Sequence, residues 1–168
     1  MLNSAPRQSK KYHQGLFIPV NKNKVIKLNN KGGLYFRSGL EHKFMIWLDR
    51  NDNIKSWGAE LIKIEYSKTE YKNESQMLET TSHNYYPDFY YELIKTDGST
   101  SKVVAEVKPL SETREPKVPV NPTAKQLKNL NYSLLMWNKN LSKWKYMIEY
   151  CQRKGFEFII ITEENLGK

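Results

Sequence analysis

Residues 85–108 read YYPDFYYELIKTDGSTSKVVAEVK and consist of two strand-like runs separated by a turn. Residues 85–94 and 102–108 are rich in aromatic and β-branched side chains, which favour strands. Between these runs, residues 96–99 contain Asp97-Gly98, and Asp-Gly in this position is a strong hairpin signal. The stretch therefore predicts a β-hairpin at the centre of a sheet.

The turn also predicts which residues pair across the hairpin. With the Asp-Gly pair at the turn centre, Asp88 is expected opposite Val107, and a slightly longer loop moves its partner to Pro109. Because side chains alternate along a strand, Glu106 and Lys108 share a face. Asp88 is expected beside both of them in either register. The core-facing positions are predicted to be Phe89, Tyr91, Leu93, Val103, Ala105 and Val107.

A helix and shorter strands are predicted before the hairpin. Ser38-x-x-Glu41 is a capping box followed by apolar residues at helical spacing, which predicts a helix from Ser38 to about residue 51. Residues 54–66 alternate and predict one bent or two short strands. Residues 67–83 are polar and are expected to form a solvent-exposed loop.

After the hairpin, four prolines between residues 109 and 122 predict a long loop without regular structure. From Thr123 onward, the spacing of apolar residues predicts a helix. A second helical stretch follows it and ends at Lys154-Gly155. Residues 156–162 are nearly all apolar and predict a buried closing strand. This order predicts an α/β fold with a mixed β-sheet, the hairpin at its centre and helices on its flanks.

The length of 168 residues and the net charge of +9 limit the class of protein. Residues 1–24 are polar and predict a basic, partly ordered arm, so residues 25–168 are expected to form a single domain. A basic domain favours a polyanion, most often nucleic acid, as partner, although a Lys-rich composition also serves solubility alone. The basic residues of the arm are Arg7, Lys10, Lys11, Lys22 and Lys24.

Several classes of site are disfavoured. The single cysteine, Cys151, excludes an internal disulfide and a Cys-rich zinc site, and favours a reducing compartment. No apolar stretch has the length of a membrane span or the pattern of a signal peptide. Residues 31–33 lack the spacing of a phosphate-binding loop, so no nucleotide cofactor is expected. The three histidines have no metal-ligand spacing.

The candidate catalytic residues are Glu41, Asp88, Glu106 and Lys108. Hydrolysis of an anionic phosphodiester calls for hard cations, and carboxylate oxygens are the ligands that Mg²⁺ prefers. Asp88 and Glu106 are the predicted ligand pair, with the backbone carbonyl of Val107 and the carboxylate of Glu41 as further ligands. Lys108 is predicted to hold the attacking water or the scissile phosphate. We expect Mg²⁺ as cofactor, with Mn²⁺ as a substitute.

Further residues have a functional and a structural interpretation. Glu60 is a candidate auxiliary acid because Gly58 allows close backbone approach, but it also fits an exposed strand position. Lys117, Lys125 and Lys128 are predicted phosphate contacts, or else part of a solvated helix face.

The catalytic candidates also have structural interpretations. Glu41 suits the N3 position of the capping box, Asp88 suits a turn, and Glu106 with Lys108 suits a salt-bridged strand face. It is their joint occurrence at hairpin-compatible spacing that favours a nuclease centre.

The order Pro87-Asp88 followed by Glu106-Val107-Lys108, with Glu41 as a helical acid, resembles the PD-(D/E)xK signature of the restriction-endonuclease-like superfamily. A closer resemblance, over residues 35–164, is to the head completion nuclease family of contractile-tailed phages (myoviruses). The segment between Tyr66 and Tyr86 is longer than this family suggests. The closer resemblance is carried by Tyr35-Phe36-Arg37-Ser38, Trp47-Leu48-Asp49, Trp57-Gly58-x-Glu60, Lys108-Pro109 with Glu112-Thr113, Asn140-x-x-Lys143-Trp144, Gly155-Phe156-x-Phe158 and Thr162-Glu163.

The resemblance implies a restriction-endonuclease-like core and a metal-dependent DNA nuclease, endo- or exonuclease, that processes packaged DNA before head and tail join. DNA and phage head, portal or neck proteins are then the expected partners. The expected location is the cytoplasm of the infected host cell, with the head-tail connector of the virion as a second location. Two alternatives remain open: a non-catalytic DNA-binding adaptor at the connector, and a junction- or transposon-type endonuclease of the same superfamily.

Overall fold

The computed structural model describes residues 4–5, 13–72 and 77–167. Two α-helices and eight strands lie in these ranges, together with short 3-10 turns at Lys22–Lys24 and Leu110–Glu112. The elements are β1 (Gly15–Phe17), β2 (Leu34–Phe36), α1 (Gly39–Arg50), β3 (Ile54–Ala59), β4 (Ile64–Lys72), β5 (Met77–Tyr85), β6 (Phe89–Ile94), β7 (Thr100–Val107), α2 (Ala124–Lys154) and β8 (Glu157–Ile161).

A four-stranded mixed sheet in the order β3-β6-β7-β8 forms the centre of the fold. The first three strands are antiparallel and β8 runs parallel to β7. Helix α1 packs its apolar side chains on one face of the sheet, and α2 packs Met147 and Cys151 against Val104 on the other. Burial of an apolar stripe on each helix is the main stabilising term of this layered arrangement. The predicted α/β fold with a central hairpin is therefore confirmed.

The hairpin β6–β7 has a different register from the predicted one. Ile94 pairs with Thr100, so the loop spans residues 95–99, with Gly98 at φ +80°. Extending this register brings Asp88 level with Glu106, and both predicted partners, Val107 and Pro109, are wrong. Asp88 nevertheless lies beside the predicted neighbours. The first strand begins at Phe89 instead of residue 85 because the buried Pro87 has no N–H to donate to a ladder.

The polar segment 67–83, predicted as a loop, belongs instead to a β-ribbon formed by β4 and β5. Thr69 and Thr80 face each other across the ribbon, with 2.8 Å between their hydroxyl oxygens. A ribbon with polar, β-branched side chains and little apolar surface lacks the alternation that marks a half-buried strand. Residues 73–76, at the end of the ribbon, lie outside the described residues.

Two predicted helical stretches form the single helix α2. Its ends agree with the sequence signals, because Thr123 and Gln126 make a capping box and Gly155 ends the helix at φ +66°. The closing strand β8 is an edge strand, and only its last residue, Ile161, is fully buried. None of the helices in the described part of the chain has both the length and the apolar character of a membrane span.

Part of the predicted N-terminal arm contacts the rest of the domain. Strand β1 pairs with β2, and the buried Asp49 accepts hydrogen bonds from the backbone N–H groups of Val20 and Asn21 at 2.8 and 3.0 Å. Residues 15–24 therefore pack on the domain. The remaining basic residues of the predicted arm, Arg7, Lys10 and Lys11, lie outside the described residues.

Candidate active site

One end of the central sheet brings the predicted acids together. Asp88 directly precedes β6, and Glu106 and Val107 end the antiparallel strand β7, so the two acids meet at the same edge. Lys108 follows β7 and is held by its backbone N–H, which donates to the carbonyl of Ile161 at 2.9 Å. The sheet thus fixes the backbone of every residue in the predicted acid-and-lysine set except Glu41, which lies in the first turn of α1.

The ammonium group of Lys108 lies among the predicted metal ligands. Its Nζ is 2.9 Å from Oε1 of Glu106, 4.0 Å from Oδ2 of Asp88 and 3.3 Å from the carbonyl oxygen of Val107. The Glu106 side chain is only 3% exposed, whereas those of Asp88 and Lys108 are 25% and 22% exposed. The two carboxylates and the carbonyl therefore surround one cationic group at the edge of solvent.

Each acid is oriented by a hydrogen-bond donor from a neighbouring element. The Tyr85 hydroxyl donates to Oε2 of Glu106 at 2.6 Å, and the backbone N–H of Val107 donates to Oδ2 of Asp88 at 2.8 Å. Burial, and then the charge of Glu106, raise the pKa of Tyr85 above its usual range, so this hydroxyl stays a donor. The carboxylates are thereby held in fixed orientations.

The charges at this edge are only partly compensated. Burial, followed by repulsion from Glu106, raises the pKa of Asp88 well above its ordinary value, while Lys108 acts against this shift. Burial disfavours the charge on Lys108, but attraction by Asp88 and Glu106 outweighs it and raises the pKa of the lysine. Two carboxylates that repel each other are stabilised when a cation binds between them, because the cation offsets the repulsion.

Glu41 lies in the first turn of α1, whose N-cap is Ser38, and it supports the helix start through a bond from Arg37 in place of the bond from Ser38 that a capping box predicts. Its Oε2 accepts a hydrogen bond from the backbone N–H of Arg37 at 2.8 Å, and its own N–H donates to the Ser38 hydroxyl at 3.1 Å. Its carboxylate also interacts electrostatically with Lys108 and Asp88, and burial raises its pKa. Capping and a place in the acidic cluster are thus compatible.

Glu60 supports Asp88 through its backbone. Its N–H donates to the Asp88 carbonyl at 3.0 Å, and its side chain forms a 2.6 Å ion pair with Arg37. The residue has φ +52°, an uncommon conformation for a side chain other than glycine. The neighbouring Gly58 makes room for a side chain of the protein, since a Cβ there would lie 2.6 Å from Cδ1 of Leu61.

The three lysines predicted to contact phosphates lie away from these bonds. Lys117 is exposed in the proline-rich loop, and Lys125 and Lys128 are exposed near the start of α2. None of the described contacts joins them to the acids. Their role in DNA binding stays a prediction.

Two side chains at the site have no role in the sequence-based prediction. Tyr85 enters that prediction only as the first residue of a strand-like run, and Lys143 only as part of the family resemblance. Lys143 projects from α2, and its Nζ lies 5.0 Å from the centroid of the Tyr85 ring. The spacing Asn140-x-x-Lys143, which puts both residues on one helix face, was the available signal.

The donor set suits a hard divalent cation. Carboxylate and carbonyl oxygens are the ligands that Mg²⁺ and Mn²⁺ prefer, and Asp88, Glu106 and Val107 present them around a cationic group. Within the described ranges, no group of three or more His, Cys, Asp or Glu side chains is arranged to hold a metal ion. The fit therefore rests on two carboxylates with a backbone carbonyl.

The chain is similar in sequence to known nucleases. Residues 51–163 match the family described as TnsA-like endonuclease N terminal. The chain is also 29% identical over 154 residues to the "Head completion nuclease" of Enterobacteria phage T4. The aligned region covers 92% of this chain and 93% of that protein. No solved structure matches the chain significantly. The matched family segment contains Asp88, Glu106 and Lys108, and the resemblance found in the sequence is confirmed.

Proposed function

Because the chain belongs to the TnsA-like endonuclease N-terminal family, we propose that it is a divalent-metal-dependent deoxyribonuclease that acts in phage head completion. The observation that carries the proposal is the placement of the Asp88 and Glu106 carboxylates and the Val107 carbonyl around one cationic group. The similarity to a head completion nuclease supports packaged DNA as the substrate. Phage head, portal or neck proteins would be its partners, and the cytoplasm of the infected cell its place of action.

Asp88, Glu106 and the Val107 carbonyl would hold Mg²⁺, with Glu41 as an additional acid nearby. When bound, Mg²⁺ supplies positive charge for the scissile phosphate and lowers the pKa of water. Tyr85 keeps the Glu106 carboxylate in one orientation through its 2.6 Å hydrogen bond. The backbone of Val107 does the same for Asp88.

Lys108 has a separate role in this proposal. Its raised pKa keeps it protonated at neutral pH, so its Nζ can donate hydrogen bonds to a phosphate oxygen or to the attacking water. In the conformation described here it contacts Glu106 directly. To donate to the substrate, the Lys108 ammonium group would exchange this contact for one with a phosphate oxygen or with the water.

Incubation of purified protein with supercoiled and linear DNA, with Mg²⁺, Mn²⁺ or EDTA, tests the proposed function. A nuclease produces strand breaks only in the presence of a divalent ion. A non-catalytic adaptor instead binds DNA in a salt-sensitive manner and leaves every strand intact. Nicking of the supercoiled form distinguishes endonuclease from exonuclease activity, because an exonuclease requires an end.

A further inference from the structure

Lys143 on α2 lies close to the proposed catalytic centre. It is half-buried and lies next to the buried Trp144, on the side of the helix that packs toward β4. Its ammonium group lies over the ring of Tyr85, the residue that donates to Glu106. Lys143 is therefore one side chain away from the proposed catalytic centre, on the side opposite α1.

The charge of Lys143 has no close counterion among the described side chains. Lys108, Lys55 and Lys95 each form an ion pair, whereas no described carboxylate pairs with Lys143. Burial lowers the pKa of Lys143; attraction by Glu106 and Asp88 opposes this shift, and repulsion by Lys108 and Lys139 adds to it. A half-buried ammonium group held without a carboxylate is costly in the free protein and is suited to binding an anion.

We propose that Lys143 binds a phosphate of the DNA strand that lies across the Asp88–Glu106 centre. This inference rests on the proposed function for the identity of the anion. The Tyr85 ring lies on one side of the ammonium group in a cation–π contact, and because the group has three N–H donors, donors remain for phosphate oxygens on its other sides. Lys143 and Lys108 then provide two positive charges near the acids, so the strand is held where the acids act.

A purely structural role for Lys143 gives different expectations. If the side chain only packs on Tyr85, then replacement with methionine costs stability and leaves DNA binding unchanged. The proposal instead requires the positive charge, so arginine preserves binding and methionine does not. Lys145 is the matched control because it is an exposed lysine on the same helix, two residues further on.

Binding of a short DNA duplex, measured in EDTA over a range of salt concentrations, tests the proposal. We expect Lys143→Met to weaken binding about tenfold and to reduce the slope of log K against log salt by about 0.9, the value for one phosphate contact. Lys143→Arg should retain most of the affinity. Lys145→Met should change affinity about threefold at most, as expected for an exposed charge that makes no fixed contact.

Duplexes that carry a single neutral methylphosphonate provide a second measurement. The wild type should lose affinity at one linkage near the cut, and Lys143→Met should show no further loss there, because the contact is already absent. Wild-type affinity and the same linkage profile in Lys143→Met would overturn the proposal, whatever its effect on stability. In another outcome, the wild type fails to cleave DNA while the affinities of Lys143→Met depend on the methylphosphonate position as expected. That result would overturn the nuclease assignment but support Lys143 as a phosphate contact.

Discussion

Tyr85 and Glu106 are joined by a 2.6 Å hydrogen bond although they lie in different sheets and 21 residues apart in the chain. Tyr85 ends the β4–β5 ribbon, and Glu106 lies near the end of the central strand β7. The bond therefore connects the ribbon to the edge of the sheet that carries the proposed centre. It gives the ribbon a role in holding the carboxylate on which the proposed chemistry depends.

Tyr85→Phe should lower cleavage roughly 10- to 100-fold, the usual effect of losing a hydrogen-bond partner of a metal ligand. It should also reduce the free energy of unfolding by about 1–3 kcal/mol, because the buried Glu106 oxygen loses its donor. Cleavage rates and urea denaturation measure the two effects. Tyr90→Phe is the control, since Tyr90 donates to Glu92 away from the acids. Equal activity of the two variants would exclude a role for Tyr85 in orienting Glu106.

Asp88→Asn should raise the melting temperature of the metal-free protein at pH 8 while it abolishes cleavage. The raised pKa of Asp88 means that the folded protein binds this proton more tightly than the unfolded chain does. Its contribution to stability therefore falls as the pH rises from near 3.8 through the folded-state pKa. Thermal denaturation between pH 4 and pH 8 should show a flatter pH dependence for the variant.

Asp97→Asn is the control for this experiment, because the pKa of Asp97 is shifted in the opposite direction to that of Asp88. Hydrogen bonds from the hydroxyl and backbone N–H of Ser99 lower the pKa of Asp97, so its contribution is present above the unfolded pKa and is lost on acidification. Asp97→Asn should leave the melting temperature unchanged or lower it slightly. A lower melting temperature for Asp88→Asn at pH 8 would contradict the strained carboxylate pair.

Arg37 links two acids of the site, and a double-mutant cycle tests this link. Its guanidinium pairs with Glu60, and its backbone N–H donates to Glu41. Because Glu60 is already paired, we expect Glu60→Gln and Arg37→Gln each to reduce cleavage about tenfold, far less than loss of a metal ligand. The double variant should be no worse than either single variant. Additive losses would show that the two side chains act independently.

Replacement of Lys117, Lys125 and Lys128 by alanine should weaken DNA binding and flatten its dependence on salt by up to about 0.9 per lysine in the log–log slope. These side chains are exposed, so folding should be unaffected. Lys154→Ala, at the opposite end of α2, is the control. An unchanged salt dependence of the triple variant would assign the three lysines to a solvated surface.

The local signals in the sequence were sufficient for the hairpin, the caps of both helices and the meeting of Asp88 with Glu106. The register was missed by one residue because the turn has a five-residue loop, closed by the bond from Lys95 N–H to the Ser99 carbonyl. That pairing depends on the backbone of the loop, which the Asp-Gly signal does not specify. Asp88 still lies beside Glu106 and Lys108 because these two residues flank the predicted partner Val107, so a shift of one residue leaves Asp88 level with Glu106.

The remaining features depend on packing between distant segments. The β4–β5 ribbon is polar, so its hydropathy resembles that of a loop. Tyr85 and Lys143 reach the site only because α2 packs against β4, a contact between segments about 80 residues apart. Asp49 is a buried acid that is satisfied by backbone N–H groups about 30 residues earlier in the chain. No periodicity within one element signals such contacts.

Cleavage of supercoiled plasmid by the wild type and by Glu106→Gln, with Mg²⁺ and with EDTA, shows whether the carboxylate of Glu106 is needed to cut DNA. Glu157→Gln, an exposed glutamate on β8, is the matched control. We expect Mg²⁺-dependent nicking by the wild type and the control, and a loss of several orders of magnitude in Glu106→Gln with the fold intact. Undiminished nicking by folded Glu106→Gln would contradict a catalytic centre at this end of the sheet.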